Sequence, residues 1–421
     1  MSLDLSLHPC FNKETRHRTG RIHLPVAPKC NIQCNFCDRQ YDCANESRPG
    51  VTSAVLAPTQ ALRYLDAALA RAPYLKVVGI AGPGDPFAQP EATLETLRLV
   101  REKYPEMLLC VATNGLNAAP YVDELARLQV SHVTVTVNAI DPKIGAEIYA
   151  WMRDGIAIYR GVAAAELLLD HQINTIRALK VAGITVKINT IVIPGVNDFH
   201  VPEVAEEMRS LGVDIMNCIP LYSVKGTPFE RIPSPSAEET RQLRLKVAEV
   251  LPQMEHCTRC RADAVGLLGE AQSPELVDIM RACASIEAGA TPERPHIAVA
   301  TMEGLLVNQH LGEAEELWIF DTSLGRLSLI GKRKTPEPGG GNARWRELAG
   351  SIKDCHSILV SGIGRAPRWV LENKGLRVIE MTGLIAEAVS HVKRTGDVPA
   401  SMKKTFTSCG SGCQGTGMGC G

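Results

Sequence analysis

The chain has 421 residues, of which 45 are basic and 46 acidic, so its formal net charge is −1. Without a basic tract, this balance excludes the electrostatic footprint of a nucleic-acid-binding protein. The N-terminal residues lack a secretory signal pattern and no apolar run reaches the length of a membrane span, so we expect a cytoplasmic protein whose 14 cysteines bind metal rather than form disulfides.

The first part of the chain alternates short apolar runs with amphipathic stretches. The expected strands cover residues 21–27, 76–81, 107–113, 132–137, 185–193 and 213–221. Helical patterns follow them, for example at 59–71 and 237–250. Repeated strand–helix units predict an α/β domain over residues 1–268, namely a partial (βα)6 barrel of the TIM type with its reactive groups at the C-terminal strand ends.

A second, smaller α/β domain is expected after this barrel. Periodicity weakens over residues 269–294, which predicts a linker. Strand patterns then recur at 296–301, 315–321, 326–331, 357–361 and 377–381, within a domain at 295–398. Residues 399–421 form a Cys/Gly-rich tail. Its last 13 residues, 409–421, contain Cys409, Cys413 and Cys420, and for them we expect no packed structure and assign no site.

The main chemical motif follows the first expected strand. Cys30, Cys34 and Cys37 form C-x3-C-x2-C, a spacing that suits three thiolates around a [4Fe–4S] cluster with one iron left open. Zinc is the rival, but it usually takes four ligands. An open iron can chelate the amino and carboxylate groups of S-adenosylmethionine (SAM), and reduction can then cleave SAM to a radical.

Polar residues share one face of several expected strands near their ends. Strand parity places Thr134, Thr136 and Asn138 on one face, and the same argument selects Asn114 and Asn189 on the neighbouring strands. A polar inward face implies a ligand in the barrel. Asn114, Thr136, Asn138 and Asn189 are therefore predicted to bind SAM, with an ordinary turn or edge contact as the alternative for each.

Two motifs together carry a family resemblance. With Cys30, Cys34, Phe36 and Cys37, and with Gly82-Pro83-Gly84-Asp85-Pro86, the chain resembles the radical SAM superfamily. The resemblance implies that the three cysteines bind the cluster, that Phe36 packs near the adenine, and that the segment with Gly82, Gly84 and Asp85 receives the SAM amino group. The sequence GPGDP departs from the family's GGEP, so only the backbone role carries over.

Further cysteines indicate further clusters. Cys10, Cys43 and Cys110, together with His8, could hold a second iron–sulfur cluster. Cys257 and Cys260 form a C-x2-C pair that could anchor a third, although a small zinc site is the rival for this pair.

The motifs at 8–10, 30–37, 43–50 and 257–264 resemble the NifB family of nitrogenase cofactor biosynthesis proteins. The resemblance implies that two [4Fe–4S] clusters are substrates, fused with a SAM methyl carbon and an added sulfur into the [8Fe–9S–C] precursor of the iron–molybdenum cofactor. One substrate cluster would bind His8, Cys10, Cys43 and Cys110, and the other Cys257 and Cys260 with its last ligands unassigned.

The same resemblance implies an enzyme of lyase or transferase type, with Glu46 as a candidate proton acceptor. Its partners would be SAM, a reductant, iron–sulfur cluster donors, and cofactor carrier or scaffold proteins. Nucleic acid and membrane are not expected partners.

The second domain carries a resemblance of its own. Residues 296–301 and 307–312 are similar to the dinitrogenase iron–molybdenum cofactor-binding (NifX-like) domain family. This similarity implies a docking place for the product, with His310 as a possible iron ligand. A histidine that merely caps or packs its loop is the alternative.

Two other functions remain open at this point. One is a radical SAM maturase with auxiliary clusters that acts on a molybdopterin or a peptide. The other is a noncatalytic scaffold that stores iron–sulfur clusters and never cleaves SAM.

Overall fold

The computed structural model describes residues 3–47, 50–270, 273–285, 294–321, 327–395, 397–399 and 401–403. Cys409, Cys413 and Cys420 lie outside the described residues. The chain divides into two compact units, Met1–Cys283 and Ala284–Gly421, called here the N-terminal and C-terminal units. Within the described ranges, no helix is both long and apolar enough to cross a membrane.

The N-terminal unit contains one large sheet and one small sheet. Its strands are β1 (Gly20–His23), β2 (Ile32–Cys34), β3 (Leu75–Ile80), β4 (Leu108–Thr113), β5 (Val130–Thr136), β6 (Tyr149–Asp154), β7 (Ala157–Tyr159), β8 (Thr185–Val192), β9 (Ile215–Pro220) and β10 (Val265–Gly266).

The large sheet has the strand order β10-β1-β3-β4-β5-β8-β9. Each pair from β1 to β9 in this order is parallel, and β10 joins β1 antiparallel. Six parallel strands correspond to the six expected from the sequence, and the sheet has two edges, so it is an open half-barrel. The predicted fold class, a partial radical SAM-type barrel with a smaller α/β domain, is confirmed.

Helices connect these strands. They are α1 (Pro58–Arg71), α2 (Pro90–Lys103), α3 (Val122–Arg127), α4 (Pro142–Ile148), α5 (Gly161–Val181), α6 (Val201–Ser210), α7 (Ala237–Ala248) and α8 (Pro274–Ser285). Proline occupies the first turn of α1, α2, α4 and α6, where its missing N–H costs nothing. Ser236 and Glu239 form a reciprocal capping box at the start of α7. Helix α8 lies within the segment expected to be a linker.

The small sheet supports the cysteine motif. It has the order β2-β6-β7, and β2 and β6 are antiparallel. Cys34 and Cys37 pack with Ile148 and Leu168 in a buried apolar cluster beneath this sheet. This sheet was not expected from the sequence, and Cys34, the middle cysteine of the motif, lies in its strand β2.

The C-terminal unit is a separate α/β layer structure. Its strands are β11 (His296–Val299), β12 (Leu306–Val307), β13 (Glu316–Asp321), β14 (Ser328–Lys334), β15 (Cys355–Val360), β16 (Arg377–Glu380) and β17 (Gly383–Leu384), and its helices are α9 (Asn342–Ser351), α10 (Arg365–Asn373) and α11 (Ile385–Thr395). The main sheet has the order β14-β13-β11-β15-β16.

Strand alternation explains how this sheet is covered on both faces. Ala298 and Ile358 pack with Trp345 of α9, whereas Ile297 and Leu359 pack with Val389 of α11. Neighbouring residues of each strand thus enter opposite cores. The five expected strands correspond to the five strands of this sheet.

Candidate functional site

The cysteine motif is rigid because its backbone is built into secondary structure. Cys34 ends β2, and the amide of Cys37 donates to the Cys34 carbonyl at 3.1 Å. The amide of Asn35 donates to the carbonyl of Ile148 at 2.8 Å. These bonds hold the backbone that carries Cys34 and Cys37.

All three motif thiols line one cavity, called here the cluster cavity. Its lining residues are Cys30, Ile32, Cys34, Cys37, Arg39, Cys43, Asn45, Glu46, Gly84, Asp85, Asn114 and Thr136. Most of the non-cysteine residues are polar and come from the C-terminal ends of neighbouring parallel strands or from the loops after them. The cavity therefore combines soft sulfur ligands with hydrogen-bonding groups.

The glycine-rich segment after β3 touches the cysteine loop directly. A Cβ atom on Gly84 would lie 2.0 Å from the Lys29 carbonyl oxygen, so only glycine allows this approach. The amides of Gly84 and Asp85 each donate at 2.6 Å, to the carbonyls of Ala27 and Lys29 respectively. Gly82 precedes this contact with a positive φ of 131°.

The Asp85 carboxylate is used within the fold. It accepts hydrogen bonds from the amides of Phe87, at 2.9 Å, and Asn114, at 2.6 Å. The hydroxyl of Thr113 donates to it as well, at 3.0 Å. Burial raises the pKa of Asp85, while these donors lower it. Asp85 therefore joins the ends of two strands at the cavity wall.

The four predicted SAM residues fall into three places. Asn114 and Thr136 line the cluster cavity, and the Asn114 amide nitrogen lies 3.9 Å from the Cys30 sulfur. Asn189 lines a second cavity. Asn138 is fully buried, accepts from the Ile191 amide at 2.9 Å, and donates to Asn45 at 3.2 Å. Asn138 therefore does not line the cavity itself but hydrogen-bonds to Asn45, which does.

Phe36 lies behind the cysteine loop. Its ring is 1% exposed and packs in the apolar cluster with Ile148 and Leu168. It is not among the residues that line the cluster cavity. Arg39 and Asn45, which the sequence analysis did not select, do line it, and the Asn45 amide donates to the Cys34 sulfur at 3.5 Å.

A larger cavity, the barrel chamber, lies next to the cluster cavity. Residues capable of binding iron are concentrated in its lining: His8, Cys10, His23, Cys110, Cys257 and Cys260. Glu46 lines both cavities. The two cavities therefore meet at this carboxylate.

Glu46 is held by two strand residues. The hydroxyl of Thr136 donates to one of its oxygens at 2.5 Å, and the Asn189 amide donates to the other at 2.9 Å. Burial raises the pKa of Glu46 to about 7. A carboxylate with such a pKa can take up or release a proton near neutral pH.

Cys10, Cys257 and Cys260 are brought together from opposite ends of the unit. The His256 ring bonds to the carbonyl of Pro9 at 2.8 Å, and this contact ties the N-terminal segment to the C-x2-C loop. Burial raises the pKa of Cys10 to about 11, and nearby Cys260 and Cys257 add to the increase. Arg21 donates to the Cys260 sulfur at 3.0 Å.

His23 is a chamber residue that the sequence analysis missed. In the sheet, Gly79 lies between His23 and Cys110, and a Cβ on Gly79 would lie 2.8 Å from the His23 ring and 3.0 Å from the Cys110 sulfur. Because Gly79 has no side chain, the His23 ring and the Cys110 sulfur can both pack over it. His23 Nδ1 bonds to the Arg261 carbonyl at 3.0 Å, an arrangement that leaves Nε2 for a metal. Parity along β1, which places His23 on the face opposite buried Ile22, could have identified it.

His8, Cys10, Cys43 and Cys110 were expected to hold one cluster together, but they do not all line the same cavity. The His8 Nδ1 accepts from the Cys10 amide at 3.2 Å, and its ring packs against the rings of Phe11 and His132. Cys43 lines the cluster cavity, whereas His8, Cys10 and Cys110 line the barrel chamber. The structure therefore does not bring all four side chains together.

The donor set fits iron–sulfur clusters. Thiols and imidazole are ligands that iron accepts, and the carboxylates and amides nearby suit an amino acid-like ligand. Burial raises the pKa of Cys30 and of Cys110 to about 12, so binding iron must displace their protons. In the described part of the chain, no three His, Cys, Asp or Glu side chains form a group arranged for a single metal ion.

His310 in the C-terminal unit caps a short turn. Its Nδ1 accepts from the Gly312 amide at 3.1 Å. In neutral imidazole the proton then resides on Nε2, so the ring must give up this cap to bind iron through either nitrogen.

Comparison with known proteins gives consistent results for both units. Residues 24–208 match the radical SAM superfamily, and residues 294–395 match the family described as dinitrogenase iron-molybdenum cofactor. Over 423 residues, the chain is 53% identical to FeMo cofactor biosynthesis protein NifB of Chlorobaculum tepidum, covering 100% of both chains. Over 401 residues, it is 38% identical to the protein of that name from Klebsiella pneumoniae, covering 88% of this chain and 86% of that one.

Solved structures are more distant. The Streptococcus suis protein SuiB, crystallised with S-adenosylmethionine, shares 17% identity and a TM-score of 0.41, covering 58% of this chain and 53% of its own.

Proposed function

Because the chain belongs to the NifB family of FeMo cofactor biosynthesis proteins, we propose that it fuses two [4Fe–4S] clusters, with a SAM methyl carbon and an added sulfur, into the [8Fe–9S–C] precursor of that cofactor. Family membership shows that the chain is a radical SAM enzyme of FeMo cofactor precursor biosynthesis that uses SAM and a [4Fe–4S] cluster. The three family resemblances drawn from the motifs are confirmed.

The observation that carries the proposal is the meeting of two cavities at Glu46. One cavity holds the C-x3-C-x2-C thiols, and the other gathers six side chains that can bind iron. A maturase of molybdopterin or peptide would not need so many ligands inside its barrel, and a scaffold would not need polar strand ends beside the cysteine motif.

In the proposed mechanism, Cys30, Cys34 and Cys37 hold the resident cluster. When bound, this cluster supplies the electron that cleaves the sulfonium of SAM. Asn114 and Thr136 contribute hydrogen-bonding groups beside it. The glycine-rich segment receives the SAM amino group through its backbone, because the Asp85 side chain is already bonded within the fold.

The substrate clusters belong in the barrel chamber. Cys10, which the sequence analysis grouped with His8, Cys43 and Cys110, would instead join Cys257 and Cys260 in holding one of them. It would supply one of the ligands that the sequence left unassigned. His23 and Cys110 would hold the other, with Cys43 reaching it from the side of the cluster cavity. Imidazole is neutral and leaves more readily than a thiolate, which suits release of a product.

Glu46 would accept a proton lost from a C–H bond of the SAM-derived methyl carbon, whose bonding electron pair would stay on that carbon as it binds iron. Its position on both linings gives it access to groups on either side. Thr136 and Asn189 orient its two oxygens. A pKa of about 7 lets it accept a proton under neutral conditions and release it afterwards.

We also propose a cytoplasmic reaction of lyase or transferase type, supported by a reductant, cluster donors and a carrier or scaffold for the product. The C-terminal unit would receive the product, with His310 as a candidate ligand after it releases its cap.

One anaerobic assay separates this proposal from its rivals. The chain is reconstituted with iron and sulfide, then given reductant and methyl-labelled SAM. The proposal predicts 5′-deoxyadenosine, S-adenosylhomocysteine and label retained in the metal cluster. A maturase for another substrate would give deoxyadenosine without labelled cluster, and a scaffold would give none of the three.

A further inference from the structure

Lys187 of β8 extends an ammonium group into the barrel chamber. The residue is 8% exposed. Its Nζ lies 5.6 Å from the centre of the Phe11 ring and 4.0 Å from the Met254 sulfur. Among the described residues, no carboxylate lies within salt-bridge distance of Nζ. The fold therefore buries a cation beside an aromatic ring and a thioether.

A buried ammonium without an anionic partner is strongly unfavourable, because water that would solvate it is excluded. The Phe11 ring offsets a small part of that cost. Neutral packing residues would fill the same space at lower cost. The position therefore makes physical sense when an anion enters the chamber.

The groups around Lys187 indicate which anion this is. Lys187 lines the chamber together with Cys10, Cys110 and Cys257, which belong to the two proposed sets of cluster ligands. A four-iron core of charge 2+ held by three thiolates carries a net negative charge, and reduction makes it more negative. Its bridging sulfides accept hydrogen bonds from N–H donors.

The other two cations of the chamber each bond to a backbone carbonyl, although among the described residues Arg21 Nε and two nitrogens of Arg259, Nε and Nη1, are buried without a hydrogen-bond partner. Arg21 donates to the carbonyl of Leu267 at 3.0 Å as well as to Cys260. Arg259 donates to the Ala44 carbonyl at 2.9 Å and packs over the Tyr222 ring. Lys187 has a flexible side chain, so its ammonium group can move toward a cluster bound in the chamber.

We propose that Lys187 is a positioning residue that donates N–H hydrogen bonds to sulfides of the substrate clusters and holds their facing edges near the middle of the chamber. This inference rests on the proposed function, since it needs clusters in the chamber.

The test compares Lys187→Met, Lys187→Arg and, as a matched control, Lys225→Met, in which an exposed lysine loses its charge. Thermal unfolding is measured on the full chain before and after anaerobic reconstitution. Iron content and the reduction potentials of the clusters are measured on the loaded chain.

Lys187→Met should leave the melting temperature of the metal-free chain unchanged or raised, because methionine keeps the stem and removes the unpaired charge. After loading, the potentials of the substrate clusters should shift to more negative values, and the gain in melting temperature on loading should shrink. Lys187→Arg should retain the wild-type potentials of the substrate clusters and the wild-type gain in melting temperature. The reduction potential of the resident cluster should be unchanged in both Lys187 variants. Lys225→Met should match the wild type in every measurement.

One result would overturn the proposal. Lys187→Met would lower the melting temperature of the metal-free chain, while the reduction potentials of its substrate clusters and its rise in melting temperature on loading would equal those of the wild type. The lysine would then be a packing residue. If the wild type itself loads only the resident cluster, the proposed function fails and this inference fails with it.

Discussion

The two cavities of the N-terminal unit bind similar clusters in this account, but they are assembled in opposite ways. The cluster cavity takes its three motif thiols from residues 30–37, which one small sheet fixes in place. The barrel chamber collects its ligands from the N-terminal segment, β1, β4 and the loop before β10. Local assembly suits a cofactor that stays, whereas ligands from separate segments suit clusters that must enter, react and leave.

Cys30→Ala should give the largest effect, because it removes a ligand of the resident cluster. We expect deoxyadenosine formation to fall to background and no label to enter a metal cluster. Liquid chromatography of the reaction products measures this loss. Cys218→Ala is the matched control, since Cys218 is a buried strand residue that lines neither cavity, and it should retain activity. Equal activity in both variants would contradict the assignment.

The double variant Cys257→Ser, Cys260→Ser tests whether the two cavities have separate roles. The variant should still cleave SAM but should bind about four fewer iron atoms per chain, because one four-iron cluster loses two ligands. It should retain no methyl label in a cluster. Iron analysis and product chromatography check this prediction, with Cys283→Ala of α8 as the control. Loss of SAM cleavage would show that the cavities are not independent.

Glu46→Gln tests the residue where the cavities meet. Glutamine keeps the shape but cannot accept a proton, so labelled-cluster formation should fall by about 100-fold or more. In the wild type this step should rise with pH through about 7, because the acceptor form of Glu46 is the ionised one. The pH dependence should be absent in the variant. A variant with the wild-type rate and profile would exclude Glu46 as the acceptor.

Gly79→Ala should have a smaller effect, confined to the chamber. The added methyl would collide with the His23 ring and the Cys110 sulfur, at a cost of about 1–3 kcal/mol from overpacking. We expect partial loss of one substrate cluster with SAM cleavage retained, measured by iron content and electron paramagnetic resonance. Gly350→Ala in helix α9, with open space around its Cβ position, is the control. Normal cluster content in Gly79→Ala would count against His23 and Cys110 as joint ligands.

The sequence allowed the half-barrel and the cysteine motif to be predicted because both depend on local patterns. Strand periodicity located all six parallel strands, and C-x3-C-x2-C is complete within eight residues. The chamber was harder, because Cys10 and Cys257 are far apart in the chain and meet through the His256 contact with Pro9. No spacing rule encodes such a meeting.

Other differences follow from tertiary packing. Phe36 enters a core made by the β2-β6-β7 sheet, which was not expected, and therefore lies behind the cysteine loop. Cys43 turns toward the cluster cavity because its loop is held there, with the Cys43 amide bonded to the Pro83 carbonyl at 2.9 Å. His23 was overlooked although its strand parity matches that of Arg21, which also lines the chamber.

The most direct measurement is electron–nuclear double resonance on the reduced, reconstituted chain with SAM labelled in its amino nitrogen and carboxylate oxygen. The account predicts hyperfine coupling from both labels to one cluster, retained in the Cys257→Ser, Cys260→Ser variant and absent in Cys30→Ala. A spectrum that does not change when SAM is added would contradict this expectation, since no iron would then bind SAM.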